Sequence, residues 1–348
     1  MSVAVVGAGI AGLSAAWELT RAGADVTVLD SERRLGGVVV TERRDGFVIE
    51  GGPDGWLAAE PHIPALAEEL GIGSHLVRQA AKGSLLWNGT AFERLEEGRA
   101  AALLGIQARL ENVKAGFASF ASGMGELVEA LAARVKGRVK TPLGVTGITQ
   151  AGAAWRLAVT GGAVVDAGAV VLALPMYSAA RLLEAAGVTG ARHLAEAVYF
   201  PSLTVSLAYR ENQVGRPLEG TGYVSPAGGA IRAVTFSSKK FPGRAPSGHV
   251  LLRAFIGPGD GDPATVAHRE LRGVLSISGE PLWARAFFWS RGIPRYPRDH
   301  AAHVAEVRHR LQRLAPLAIA GAGVDGTGVS ACVKSGREAA RAVLRRLG

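Results

Sequence analysis

The chain holds one cysteine, Cys332, among 348 residues. That excludes an intrachain disulfide and any metal centre built from several thiolates. Aromatic residues are scarce at 6% and charged residues reach only 20%, so neither a base-stacking surface nor a charge-driven disordered segment is expected. Basic residues outnumber acidic ones 39 to 30, for a formal charge of +9. The arginines fall singly or in pairs, however, and no polybasic block marks a nucleic-acid partner. An anionic substrate or a membrane surface fits the charge better. Long hydrophobic runs are also missing: Ala163 to Pro175 is too short to span a bilayer, carries Asp166, and reads as a strand pair near a turn. Met1 to Gly12 is apolar but has no basic n-region, so it is not read as a signal peptide. A cytoplasmic location follows as an expectation, with peripheral membrane association left open. No metal site is expected.

Glycine, at 47 residues, is abundant, and hydrophobic residues make up 48%. This is the composition of a glycine- and alanine-rich α/β protein, and the length suggests two interleaved domains. The N-terminus explains where some of the glycine goes. A strand, Val3 to Val6, feeds the turn Gly7-Ala8-Gly9-Ile10-Ala11-Gly12 and a helix from Leu13 to Ala22. In such a cradle the first glycine allows the turn, the second lets backbone N–H groups approach a pyrophosphate, and the third lets helix and strand pack closely. The positive end of the helix faces the phosphates. A second strand, Ala24 to Leu29, ends in Asp30, whose carboxylate can accept both ribose hydroxyls. The run Arg33-Arg34-Leu35-Gly36-Gly37 follows at once. Nicotinamide dehydrogenases have no need of it, whereas adjacent glycines with an arginine suit the diphosphate and ribityl arm of FAD.

A second signal lies at the other end. Strand Leu317 to Ala320, the loop Gly321 to Val329 and the helix Ser330 to Leu347 offer N–H donors and a positive dipole end to the flavin pyrimidine, where negative charge gathers on reduction. Cys332 lies on that helix and reads as a small buried residue rather than a covalent flavin tether. Between these ends the pattern predicts a strand near Phe47, a helix from Ile63 to Leu70 stopped by Gly71, and a hairpin at Asn88-Gly89. A helical stretch from Arg99 to Gly116, a helix from Met124 to Val135 and a meander of Val139 to Ile148 and Trp155 to Val159, leading to a buried strand Val170 to Leu174, come next. Mixed strands are expected from Tyr177 onward, at Leu203 to Tyr209, Gly222 to Val224, Ala233 to Ser237 and Val250 to Ile256, with helices at His268 to Leu275 and His300 to Leu314.

The expected fold is α/β, a Rossmann-type FAD-binding domain interleaved with a mixed-sheet α+β substrate domain. Residues 1–77, 120–176 and 312–348 are assigned to the first. Residues 78–119 and 177–311 are assigned to the second, with 99–116 as a truncated helical insert.

Several segments carry a resemblance: Gly46 to Asp54, Phe117 to Phe120 with Gly123 to Val128, Gly220 to Val224, Leu251 to Gly257, Trp289 with Ile293 to Tyr296, and Gly321 to Cys332. On these the chain resembles the flavin amine-oxidase superfamily and, within it, the protoporphyrinogen oxidases. The resemblance implies that Gly7, Gly9, Ile10, Ala11, Gly12, Asp30, Ser31, Arg34, Gly36, Gly37, Gly51, Gly52, Pro53 and Asp54 contact FAD. Val145 would meet the adenine through its backbone, Trp289 would face the isoalloxazine, and Gly321, Asp325, Gly328 and Val329 would hold the ribityl and pyrimidine end. It implies an oxidase that removes hydride from a porphyrinogen, protoporphyrinogen IX or coproporphyrinogen III, in haem biosynthesis, with molecular oxygen as acceptor. Arg94, Arg99, Arg295 and Arg298 are candidate partners for propionates. Two departures stand out. The insert is shorter than the family's helical subdomain, and Gly89 stands where the family has a propionate-pairing arginine. They leave room for an amine or polyene oxidase, or for an FAD-bound tetrapyrrole carrier without turnover.

Overall fold

Ser2–Val6 has no charged side chain and runs Val-Ala-Val-Val after its first residue, the continuous apolar pattern of a strand buried on both faces. It becomes the central strand of a five-stranded parallel sheet. The computed structural model describes residues 1–96, 98–103, 110–226 and 228–348. The first part of the chain runs β1 (Ser2–Val6), α1 (Ile10–Arg21), β2 (Asp25–Leu29), β3 (Thr41–Arg44), β4 (Phe47–Glu50), β5 (Trp56–Leu57), α2 (His62–Leu70) and β6 (Leu76–Arg78). Next come β7 (Leu85–Trp87), β8 (Phe92–Arg94), α3 (Arg99–Leu103), α4 (Leu110–Lys114), β9 (Phe117–Phe120), α5 (Gly125–Arg134) and β10 (Val139–Lys140). The middle holds β11 (Val145–Ala151), β12 (Ala154–Val159), β13 (Val164–Ala167), β14 (Ala169–Leu172), α6 (Met176–Ala185), β15 (Val198–Arg210), β16 (Gly222–Val224) and β17 (Ile231–Phe236). The last part is α7 (Ser237–Lys240), β18 (His249–Ile256), α8 (Pro263–Leu275), β19 (Trp283–Arg295), α9 (His300–Leu311), β20 (Leu317–Ile319) and α10 (Val329–Leu347).

The parallel sheet has the order β10-β2-β1-β14-β20, with strands drawn from both ends and the middle of the chain. Its period-two alternation divides two cores. Val3, Val5, Val26 and Val28 face α1, α5 and α10. Ala4, Val6, Val170 and Leu172 face the antiparallel meander β11-β12-β13 together with α6 and α9. Helix α10 lies across α1, where a Cβ on Gly336 would stand 2.0 Å from the Ala11 carbonyl oxygen. Arg337 and Arg341 both donate to Glu18, at 2.8 and 2.7 Å, and fasten the same contact. The two ends of the polypeptide therefore pack as neighbours.

A seven-stranded mixed sheet, β19-β15-β18-β17-β16-β7-β8, stands apart from the first. One face packs on α8 through Val205, Leu207, Tyr209, Leu252 and Leu271. The other packs on β4 through Phe47, Ile49, Leu251, Trp283 and Phe287. Asp262 caps α8 by accepting from the Thr265 N–H at 2.9 Å, with Pro263 in the first turn, so this helix starts before the expected His268.

Several expectations change. The segment from Tyr177 opens as a helix, α6, because Met176, Ala179, Ala180, Leu182 and Leu183 form one buried stripe. Helix α9 ends at Leu311, not Leu314. The Asn88-Gly89 hairpin pairs Trp87 with Phe92, so its loop has four residues, with the Asn88 side-chain oxygen accepting from the Thr90 and Ala91 N–H groups. Strands β3 and β19 had no counterpart in the sequence reading. Of the expected insert at 99–116, residues 104–109 lie outside the described residues, and the flanking parts are the helices α3 and α4.

Candidate active site

The glycine turn after β1 is held from both sides. Gly7 has φ +103° and donates its N–H to the Leu29 carbonyl at 2.8 Å. A Cβ on Gly12 would lie 1.8 Å from the Gly7 carbonyl oxygen, so only glycine lets α1 begin this close to its strand. At Gly9 the situation differs: the only atom near its Cβ position is the Cα of Gly37, at 4.0 Å. The space above Gly9 is open, and Gly36 forms a parallel bridge to it. Ile10 and Ala11 open α1 beside it, where N–H groups have no partner within the helix. A floor of bare backbone at a helix N-terminus fits a dinucleotide pyrophosphate.

Asp30, at the end of β2, accepts from the N–H groups of Ala8 at 2.5 Å and Glu32 at 2.8 Å. Its carbonyl accepts from Leu143 at 2.6 Å, and a Cβ on Gly144 would lie 3.2 Å from the Ser31 Cβ. The start of β11, with Val145, thus sits beside Asp30 and Ser31. Arg34 folds back over the double glycine and donates to the carbonyls of Leu35, Gly37 and Val39. Its guanidinium carbon stands 5.9 Å from the Trp289 ring. The indole N–H of Trp289 donates to the Gly51 carbonyl at 2.7 Å, which joins the edge of the seven-stranded sheet to the turn after β4.

The C-terminal loop approaches from the opposite side. A Cβ on Gly321 would lie 3.8 Å from the Ala11 Cβ, and Gly328 has open space around it. Gly321 donates its N–H to the Ser335 hydroxyl oxygen at 2.9 Å, and that hydroxyl donates to Asp325 at 2.5 Å. Arg308 donates to the same carboxylate at 2.8 Å. Tyr296 donates to the Ala322 carbonyl, and His300 Nε2 lies 2.8 Å from the Gly323 carbonyl oxygen. The Tyr296 and His300 rings stack at 4.4 Å and 4°. Burial, above all, raises the Tyr296 hydroxyl above its ordinary range, which keeps it a donor. Burial likewise pushes the Cys332 thiol up to about 12, so the sulfur stays protonated and inert at neutral pH.

Not every expected residue joins this constellation. Asp54 accepts from Lys240 Nζ through both oxygens, at 3.0 and 2.8 Å, so it forms an internal ion pair. Burial opposes its ionisation, but Lys240 and Arg253 outweigh it and hold the carboxyl below its ordinary value. Beside it the buried Glu50 accepts from Thr41 at 2.6 Å and the Met124 N–H at 2.8 Å, with Arg244 at 3.3 Å. Burial pushes Glu50 up despite Arg244. The four arginines do not form one set. Arg94 is on β8 and Arg295 on β19, the two ends of the strand order. Arg94 lies 3.6 Å from Glu219, and the exposed Arg99 opens α3. Arg295 stands 4.9 Å over the Phe200 ring, on a ribbon where Phe200 pairs with Ile293 and Val198 with Arg295. Val198, Phe200, Phe288 and Ile293 are all exposed there, and Arg298 follows the ribbon in an exposed turn.

Sequence reading missed His300, Arg308 and Ser335 as supports of the C-terminal glycine loop. They lie on α9 and α10, and no spacing rule links them to residues 321–325.

With this geometry in view, a family model described as "Flavin containing amine oxidoreductase" matches residues 10–122 and 84–344. The chain belongs to that family. It is a flavin-dependent oxidoreductase, with FAD as its cofactor and an α/β Rossmann-type FAD-binding fold. Coproporphyrinogen III oxidase of Bacillus subtilis (strain 168) is 23% identical over 455 residues, covering 97% of this chain and 96% of the relative. The like-named protein of Propionibacterium freudenreichii subsp. freudenreichii is 26% identical over 476 residues, covering 98% and 90%. Alignments of 455 and 476 residues on a chain of 348 mean that both relatives carry stretches with no counterpart here. Among solved structures, a protein of Exiguobacterium sp. 255-15 assigned as a protoporphyrinogen oxidase superposes with a TM-score of 0.84 at 22% identity, over 99% of each chain. That likeness supports the fold. Among the described residues no helix is long and apolar enough to cross a membrane.

Proposed function

We propose that the protein oxidises a porphyrinogen, with coproporphyrinogen III first among the candidates and molecular oxygen as acceptor. The observation that carries this reading is the similarity along nearly the whole chain to proteins named coproporphyrinogen III oxidase. FAD, when bound, supplies the hydride acceptor. Gly7, Gly9 and Gly12 leave the pyrophosphate its room, and the N–H groups of Ile10 and Ala11 carry the favourable dipole. Asp30 and Ser31 serve the adenosine end with Val145, while Arg34, Gly36, Gly37, Gly51, Gly52 and Pro53 line the path toward Trp289. Gly321, Asp325, Gly328 and Val329 present the start of α10 to the flavin ring, where a positive helix end favours the charge that builds on reduction. Residues carrying the parallel sheet and its meander form the cofactor domain, and those of the seven-stranded sheet form the substrate domain.

The exposed ribbon of Val198, Phe200, Phe288 and Ile293, flanked by Arg291, Arg295 and Arg298, supports an amphipathic anion as substrate. Its apolar centre suits a macrocycle, and guanidinium groups at the rim suit carboxylates. A cationic amine finds no advantage among those arginines. A membrane surface could use the same ribbon. Incubating the FAD-loaded protein in air with coproporphyrinogen III tests the proposal: a rise of porphyrin fluorescence above the spontaneous rate is expected, with peroxide formed alongside. Fluorescence no faster than without protein overturns it.

A further inference from the structure

One turn along α9 from His300, the residue that meets the Gly323 carbonyl, lies a second cluster with its own chemistry. His193 and Glu196 occupy the 3-10 turn Ala191–Glu196, one turn apart, and side chains three residues apart eclipse in such a turn. His193 Nδ1 lies 2.7 Å from Glu196 Oε1. From the first turn of α9, His303 brings its Nδ1 to 3.9 Å from Glu196 Oε2. The two imidazoles stack at 4.7 Å and 28°. One ligand atom from each of the three residues falls within 4.8 Å of the others.

The second nitrogen of His303 has a partner as well. Asp299 Oδ2 lies 3.4 Å from His303 Nε2, an ion-pair spacing that sets a carboxylate beside the outer nitrogen of a would-be ligand imidazole. The other nitrogen, Nδ1, is buried and has no hydrogen-bond partner. It faces the carboxylate already shared with His193. Two imidazoles and one carboxylate are a borderline donor set, suited to zinc, cobalt or nickel and poorly suited to calcium or magnesium. With metal–ligand distances of about 2.0 to 2.2 Å, two donors on one ion stand at most about 4.4 Å apart. Spacings of 2.7 and 3.9 Å fall inside that limit, and a small turn of either imidazole brings in the rest.

We infer that His193, Glu196 and His303 form a divalent transition-metal site, closed by water and oriented through Asp299. Its consequence lies in α9. The same helix supports the C-terminal glycine loop through His300 at Gly323 and Arg308 at Asp325, so an ion joining the 3-10 turn to its first turn stiffens the support of that loop. The inference is independent of the substrate.

Chelator-treated, tag-free, FAD-loaded protein is titrated with Zn2+ by calorimetry and with Co2+ by visible absorption. One ion per chain is expected, with intense tetrahedral-type Co2+ bands and a rise in melting temperature as Zn2+ is added. His193→Ala, His303→Ala and the milder Glu196→Gln each weaken binding by about tenfold or more, while His249→Ala, a histidine on β18, leaves it unchanged. Uptake below one ion per chain, or uptake that Glu196→Gln and His303→Ala leave untouched in folded, yellow protein, overturns the assignment.

Discussion

The indole nitrogen of Trp289 donates to the backbone carbonyl of Gly51 at 2.7 Å, binding the edge strand of the seven-stranded sheet to the turn that leaves β4. The same ring lies 5.9 Å from the Arg34 guanidinium, so one side chain touches both cofactor-side loops. Trp289→Phe keeps an aromatic ring and removes the donor. Stability is expected to fall by about 0.5–1.5 kcal/mol in denaturant titration, with the flavin retained and its absorption spectrum shifted. An unchanged spectrum would place Trp289 away from the ring system.

Two glycines three residues apart, Gly9 and Gly12, should behave oppositely in their free proteins. Around Gly9 nothing but the Gly37 Cα lies near a Cβ, whereas at Gly12 a Cβ meets the Gly7 carbonyl at 1.8 Å. Gly9→Leu should therefore give protein with native circular dichroism and no yellow colour. Gly12→Leu should fail to reach the native state with or without FAD. Retained flavin in the Gly9 variant would contradict the pyrophosphate assignment.

Ser335 relays the Gly321 N–H to the Asp325 carboxylate and is buried. Ser335→Ala leaves that N–H without its acceptor, at a cost of about 1–3 kcal/mol. The loop loosens, so flavin release should speed up more than global unfolding does. Stopped-flow release of FAD compared with urea unfolding separates the two.

The Asp54–Lys240 pair sets an acid limit. Asp54 is held below its ordinary value, so its contribution to stability is present above the unfolded carboxyl's value and is lost as pH falls through the lower folded value. Lys240→Met removes the nearest cation and leaves a largely buried carboxylate, costing about 3–5 kcal/mol near neutrality. The acid unfolding limb should move to higher pH. Urea midpoints measured across the acid range check both points.

The strand, glycine turn and helix at each end were legible in the sequence because each unit is compressed into a few dozen residues with fixed offsets. The resemblance singled out residues 46–54 and Trp289 separately, and the hydrogen bond that joins Trp289 to Gly51 emerged only from the structure. Other features escaped for physical reasons. Strand β19 is an edge strand whose exposed positions hold Arg285, Phe288, Ser290, Arg291 and Ile293, so its alternation breaks. Helix α6 follows Pro175 directly and has no side-chain cap, which removes the usual starting signal. Asp54 stood in a motif of the family, yet its partner Lys240 is 186 positions away, and no spacing rule could pair them. The cluster of His193, Glu196 and His303 was invisible for the same reason, since it forms only when α9 docks on the turn before β15.

Anaerobic mixing of the yellow protein with coproporphyrinogen III tests the account most directly, with the oxidised-flavin absorption followed in time. The account predicts bleaching at a rate that rises with porphyrinogen concentration, and recovery of the colour when oxygen is admitted. A flavin that no porphyrinogen bleaches, or that only an amine or a polyene reduces, would contradict it.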